Sequence, residues 1–122
     1  MTAHVCLLED NYALRRFYVN ALLKAGYDVT EVSNLKEANA AFDQLAIDVF
    51  VCDIELADGN AWRLLDRITA AGKPVVTMSA CFEHSHSSRE KGIDHFLMKP
   101  FPVRKLAEQV TDVLGAATGT GV

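Results

Sequence analysis

The sequence predicts an α/β fold: a doubly wound parallel sheet of five strands alternating with five helices. Three observations lead there. Short apolar runs recur, several ending in an acid or hydroxyl; between them apolar residues return at three- and four-residue steps; and Gly or Pro marks most of the joins. Neighbouring parallel strands need a crossover, nearly always a right-handed helical one, so this alternation places helices on both faces of the sheet.

Each element has its own signal. Val5-Cys6-Leu7-Leu8 is continuously apolar, as expected of a strand buried on both faces, and Glu9-Asp10-Asn11 ends it. Leu14, Phe17, Tyr18, Ala21, Leu22 and Ala25 then keep helical spacing up to Gly26, a helix stop. Residues 28–32 are short and β-branched, which predicts a second strand nearer an edge. Ser33 or Asn34 caps the next helix, which carries Leu35, Ala38, Phe42 and Leu45; with Asn34 as cap, Glu37 is placed for a capping box.

Val49-Phe50-Val51-Cys52 repeats the buried-strand signal and again ends in an acid, Asp53. Ala61, Leu64, Leu65 and Ile68 mark a helix that stops near Gly72, and Pro74-Val75-Val76-Thr77-Met78 starts a fourth strand. Residues 82–91 are polar and rich in His and Ser, so a short, weakly amphipathic and mobile helix is expected there. His95-Phe96-Leu97-Met98 is the fifth strand. Pro102 opens a last helix with Val103, Leu106, Val110, Val113 and Leu114 on its apolar face. One domain over residues 1–114 follows, with the small, Gly-rich residues 115–122 as a frayed end or the start of a linker.

Composition excludes several classes. Half of the 122 residues are hydrophobic and 23% are charged, too apolar for a disordered chain. The net charge of -4 comes without a Lys/Arg cluster, which argues against nucleic-acid binding. No apolar run approaches the roughly 20 residues of a membrane-spanning helix. Met1-Thr2-Ala3-His4 leads straight into a strand, so no signal peptide and a cytoplasmic location are expected. Cys6, Cys52 and Cys81 show no metal or disulfide spacing; the first two read as inert core residues.

The chemistry gathers where strands end. In open α/β sheets ligands bind beyond the carboxyl ends of the strands, where strand order reverses. With strands one and three as neighbours, Glu9, Asp10 and Asp53 surround one crevice, and their repulsion calls for a divalent cation. Oxygen ligands of this kind suit Mg2+, and a backbone carbonyl near Glu55 adds another. Lys99 at the end of strand five brings a point charge for phosphate, and Ser79 at the end of strand four a hydroxyl. Taken singly, an acid at a strand end begins a solvated loop, a lysine is surface and a serine is a turn residue. It is the set at four strand ends that points to chemistry.

Leu7-Leu8-Glu9-Asp10-Asn11, Asp53-Ile54-Glu55-Leu56, Ser79-Ala80 and Lys99-Pro100-Phe101 together resemble the signatures of response-regulator receiver domains, over residues 4–114. That resemblance implies a flavodoxin-like fold, similar to chemotaxis regulators, with strand order 2-1-3-4-5. It implies that Asp53 accepts a phosphoryl group from a sensor histidine kinase or a phosphotransfer protein. Asp10 and Asp53 would hold Mg2+ directly, Glu9 through a water, and Glu55 by its backbone carbonyl. Lys99 and Ser79 would bind phosphoryl oxygens, and Ser79 with Phe96 would form the switch that alters an output face. Such a domain assists its own phosphorylation and dephosphorylation but is a signalling protein, not an enzyme. The Lys99-Pro100 bond is expected to be cis. Asp94 and Arg104 correspond to a phosphorylation-dependent homodimer contact of transcription-factor relatives, which Lys105 and the poor fourth helix weaken.

Departures cluster after Asp53. Ala57 stands where the family often has Pro and Ala61 where it usually has Gly, which strains the loop if that site needs a positive φ. Glu55 and Cys81 occupy positions that tune phosphoryl lifetime in the family. His84-Ser85-His86 lacks the further ligands of a tetrahedral metal site and is expected to be a solvated, flexible loop. Three rivals fit less well. A haloacid-dehalogenase-type phosphohydrolase, with an aspartate nucleophile, resembles Asp-x-Asp, where this chain has Glu55. A flavin carrier needs a phosphate cradle that Glu9-Asp10 would repel. A pseudo-receiver serving only as a binding module is left open by the two alanines.

Overall fold

A computed structural model describes residues 2–117, the last two by their backbone alone. Its elements in order are β1 (His4–Leu8), α1 (Tyr12–Lys24), β2 (Asp28–Val32), α2 (Leu35–Gln44), β3 (Val49–Asp53), β4 (Glu55–Leu56), β5 (Gly59–Asn60), α3 (Trp62–Ala70), β6 (Val75–Ser79), α4 (Glu83–Glu90), β7 (Phe96–Met98) and α5 (Arg104–Ala117). The main sheet is parallel in the order β2-β1-β3-β6-β7. With the β4–β5 hairpin counted apart, this is the expected order 2-1-3-4-5. The hairpin itself, an antiparallel pair inserted between β3 and α3, was not foreseen; two residues a side are too few to show a period.

Strand residues alternate between two cores because successive side chains point to opposite faces. Cys6, Leu8, Phe50 and Cys52 pack with Ala38 and Ala41 of α2 and with Leu64, Leu65 and Ile68 of α3. Val5, Leu7, Val49 and Val51 pack with Tyr18, Val19 and Leu22 of α1 and with Leu106, Val110 and Val113 of α5. The continuous apolar runs of β1 and β3 are thus explained by helices on both faces.

Local signals acted mostly as expected. The Asn11 side chain accepts from the Leu14 N–H at 2.9 Å and starts α1. At α2 the cap is Asn34, whose side chain accepts from the Glu37 N–H at 2.8 Å. Glu37 does not close a box on Asn34; it reaches one residue further, accepting from the Ser33 N–H at 2.8 Å and its hydroxyl at 3.0 Å. Gly26 and Gly72 end α1 and α3 with φ of 95° and 72°.

Three expectations need correction. Ala61 is not strained: its φ is -90°, it is fully buried, and the positive φ of the loop falls at Gly59, 134°. The short helix expected within residues 82–91 is present as α4, and it includes His84-Ser85-His86, for which a solvated, flexible loop was expected. α5 runs through Ala117, so residues 115–117 extend the helix where a tail was expected; residues 118–122 of that tail lie outside the described residues. Among the described residues no helix is long and apolar enough to cross a membrane.

Candidate functional site

β1 lies between β2 and β3, so the connections leaving its neighbourhood diverge and open a crevice at the carboxyl ends of β1 and β3. Glu9 and Asp10 follow β1 directly and Asp53 is the last residue of β3. Each offers a carboxylate oxygen, and these lie within 4.8 Å of one another. Lys99 follows β7, and its backbone N–H donates to the Ser79 carbonyl at 2.9 Å, tying the ends of β6 and β7 together. Its ammonium crosses the edge to Glu9 Oε1 at 2.5 Å and Asp53 Oδ2 at 2.8 Å. The Lys99-Pro100 peptide bond is cis.

Glu9 is 1% exposed and is held from two sides, since its Oε2 accepts from the Asn11 N–H at 3.1 Å. Arg15 donates to the Glu9 carbonyl at 3.0 Å, locking the backbone at the same point. Asp53 is 5% exposed, and burial pushes its carboxyl up to about 6. The Lys99 ammonium opposes that rise while the charge of Glu9 adds to it. Burial also works against the charge on Lys99, but the hydrogen bonds and charges of Asp53 and Glu9 prevail and hold its ammonium above the usual lysine range. The result is a buried carboxylate beside a fixed cation, an arrangement suited to a nucleophile whose product is anionic.

Ser79, 1% exposed at the end of β6, accepts from the Cys81 N–H at 2.9 Å and pairs with His84 Nδ1 at 2.7 Å. The His84 ring stands edge-on to Trp62, with centroids 5.4 Å apart, and its Nδ1 lies 3.9 Å from Glu55 Oε1. Glu55 opens β4 with its side chain exposed. Phe96 is half-buried on β7 opposite Thr77 and packs against the core beneath α2 and α3. Ala57, where a proline would have no donor, gives its N–H to Asp10 Oδ2 at 2.8 Å. Asp10, Asp53, Glu9 and Lys99 therefore converge, while Ser79 is engaged with a helix residue that the sequence reading set aside. Apolar periodicity has no means of finding His84, because its tie to the sheet is a hydrogen bond.

Burial raises the Cys6 thiol to about 12 and holds Cys52 well above the usual thiol range, with Cys6 and Asp53 adding to the latter rise. Both are inert core residues, as expected.

Known proteins are similar to this chain in sequence and in fold. A family model described as the response regulator receiver domain matches residues 5–111. The DNA-binding transcriptional regulator NtrC of Rhizobium meliloti is 38% identical over 85% of the chain, which spans 22% of that regulator's length. A chemotaxis protein CheY homolog of Campylobacter jejuni is 26% identical, with 94% of this chain and 95% of that one covered. The chain spans half of SilR of Salmonella typhimurium, to which it is 28% identical over 90% of its own length. A CheY-like receiver domain structure from Methanospirillum hungatei superimposes with a TM-score of 0.89 over 99% of this chain and 100% of that one, at 23% identity, which speaks for the fold. The family match over nearly all of the chain, on a five-stranded sheet with its acids at the diverging strand ends, makes the chain a member of the response regulator receiver domain family.

Proposed function

We propose that this receiver domain takes a phosphoryl group on Asp53 from a histidine of a sensor kinase or phosphotransfer protein. The observation that carries the reading is the Lys99 ammonium, in contact with both Asp53 and Glu9 at the edge where three carboxylates meet. An oxygen of the Asp53 carboxylate forms a bond to phosphorus as the phosphorus–nitrogen bond of the donor imidazole breaks, leaving an acyl phosphate. Lys99 follows the transferred oxygens as their charge collects beside Asp53. Water later cleaves the acyl phosphate and returns the carboxylate and inorganic phosphate.

The cluster of Glu9, Asp10 and Asp53 carboxylates fits Mg2+; Asp10 and Asp53 would hold the ion directly, the Glu55 carbonyl would add a third ligand, and Glu9 would act through a water. When bound, the ion supplies positive charge for the transferring phosphoryl oxygens. The Ala57 N–H engages Asp10 Oδ2 and fixes that carboxylate, which supports this role. Receiver domains are in general signalling domains and not enzymes; here the readout would run through Ser79 and Phe96 to the face of α4, β7 and α5. The NtrC relative carries DNA-binding output in its name, and an output of that kind for the protein containing this domain is part of the proposal.

The test is intact mass after incubation with Mg2+ and acetyl phosphate, with Asp53→Asn alongside. One phosphoryl adduct on the wild type and none on the variant is expected. No adduct with any donor would leave a binding module, and steady turnover of phosphate esters would mean a hydrolase.

A further inference from the structure

α4 differs from every other helix in how it docks. Its only buried residue is Ser88, and no apolar side chain of Glu83–Glu90 reaches the core. Two hydrogen bonds to the hydroxyls of β6 join it to the sheet. Ser88 Oγ meets Thr77 Oγ1 at 3.0 Å, buried, near the carboxyl end of the helix; His84 Nδ1 meets Ser79 Oγ at 2.7 Å near the amino end. Thr77 and Ser79 are alternate residues of one strand, so both hydroxyls point to the same face.

The proton of the Ser79 hydroxyl can be placed by donor and acceptor counting. A hydroxyl has one proton, and a buried one donates it to some acceptor. Ser79 Oγ already accepts from the Cys81 N–H, and the acceptor in reach among the described residues is His84 Nδ1. Were Nδ1 the donor, the Ser79 proton would be left buried without a partner. The imidazole therefore carries its proton on Nε2, and Ser79 donates to Nδ1.

We infer that His84 is a positioning residue: in the resting domain it holds the Ser79 hydroxyl, and a phosphoryl group on Asp53 must take that hydroxyl from it. The inference rests on the proposed phosphorylation of Asp53. Once Ser79 turns its one proton to a phosphoryl oxygen, α4 loses its amino-terminal tie and keeps the Thr77–Ser88 tie, so the helix pivots about Ser88. The edge contact between His84 and Trp62 breaks with it. Glu55 at 3.9 Å is the charged group facing His84 from the hairpin.

Trp62 is the sole tryptophan of the sequence, and its emission reports on the His84 edge contact and on the Lys91 ammonium 5.6 Å from the same ring. The probe is beryllofluoride with Mg2+, which adds to a carboxylate as a stable phosphoryl stand-in, titrated into wild type, His84→Phe and His84→Asn. Phe keeps a ring against Trp62 without an acceptor; Asn places Oδ1 where Nδ1 stood. With no hydrogen bond to break, His84→Phe is expected to reach half-saturation at roughly five-fold lower concentration, and His84→Asn at the wild-type concentration. Side-chain nitrogen NMR of the resting protein, above the imidazole titration range, is expected to show Nδ1 unprotonated and accepting. Equal half-saturation in wild type and His84→Phe, or a protonated Nδ1, overturns the inference while leaving Asp53 as acceptor. A wild type that takes up neither beryllofluoride nor a phosphoryl group overturns the proposed function, and this coupling with it.

Discussion

Asp53 keeps its charge against the preference of its surroundings. Its carboxyl stands at about 6 in the fold against an ordinary 3.8, mainly because it is buried. The folded chain therefore binds this proton more readily than the unfolded chain between those two values. Stability falls as pH rises through that window and is flat above it, with the full cost present at neutral pH. Replacing the charge by an amide of the same shape removes that cost, and Lys99 retains Glu9 as a partner. In chelated buffer, Asp53→Asn is expected to be more stable than wild type by about 1–3 kcal/mol at pH 7. The gain should shrink towards zero as pH approaches 4, where the wild-type carboxyl is protonated. Urea unfolding at both pH values checks this, and an Asn variant that is no more stable at pH 7 would show that Lys99 fully compensates the buried charge. A charge held at such a cost is expected where function, not stability, is served.

At the scale of elements, helices that dock by apolar stripes were legible in the sequence with their inward faces, whereas for the one that docks by hydrogen bonds the sequence predicted a short helix but not the residues that hold it. Leu64, Leu65 and Ile68 of α3 announce a buried face by their spacing. His84 and Ser88 of α4 occupy the inward positions with polar atoms, and a pattern built on hydrophobicity registers only a weakly amphipathic helix without a docking face. The start of α2 shows the opposite case, in which local chemistry reads directly. Asn34 can satisfy one of the unpaired N–H groups of the first turn, and it does so at Glu37. Asn34→Ala is expected to lower unfolding free energy by about 1 kcal/mol, and Asn34→Ser to retain most of it. Denaturant midpoints with an unchanged slope would confirm a native-state effect; an Ala variant as stable as wild type would mean that the Glu37–Ser33 bonds hold the turn alone.

Across the whole molecule, the site is legible only once the sheet order is known. Residues 9, 10, 53, 79 and 99 are far apart in the chain, and the parallel order β2-β1-β3-β6-β7 delivers them to one edge. Strand runs and helical spacing predicted a parallel sheet with these residues at its strand ends, and the family resemblance supplied the order that brings the acids and Lys99 together. Their side-chain pairing was out of reach, because a lysine spanning Glu9 and Asp53 is set by distances, not by residue type. That pairing also bears on metal binding. Three carboxylates face one ammonium, so the edge retains net negative charge, and a bound divalent ion that prefers the folded chain stabilises it by mass action. At a hundred-fold excess over half-saturation, Mg2+ is expected to add about 2.7 kcal/mol, or roughly 10 °C in Tm for a domain of this size. Asp10→Asn, which removes a proposed ligand and keeps an acceptor for the Ala57 N–H, should lose most of that shift. Thermal unfolding in Mg2+ against sodium chloride of matched ionic strength separates site binding from screening. Equal Tm in the two salts would remove Mg2+ from the proposed site, since screening alone acts on all sixteen acidic side chains and not on these three.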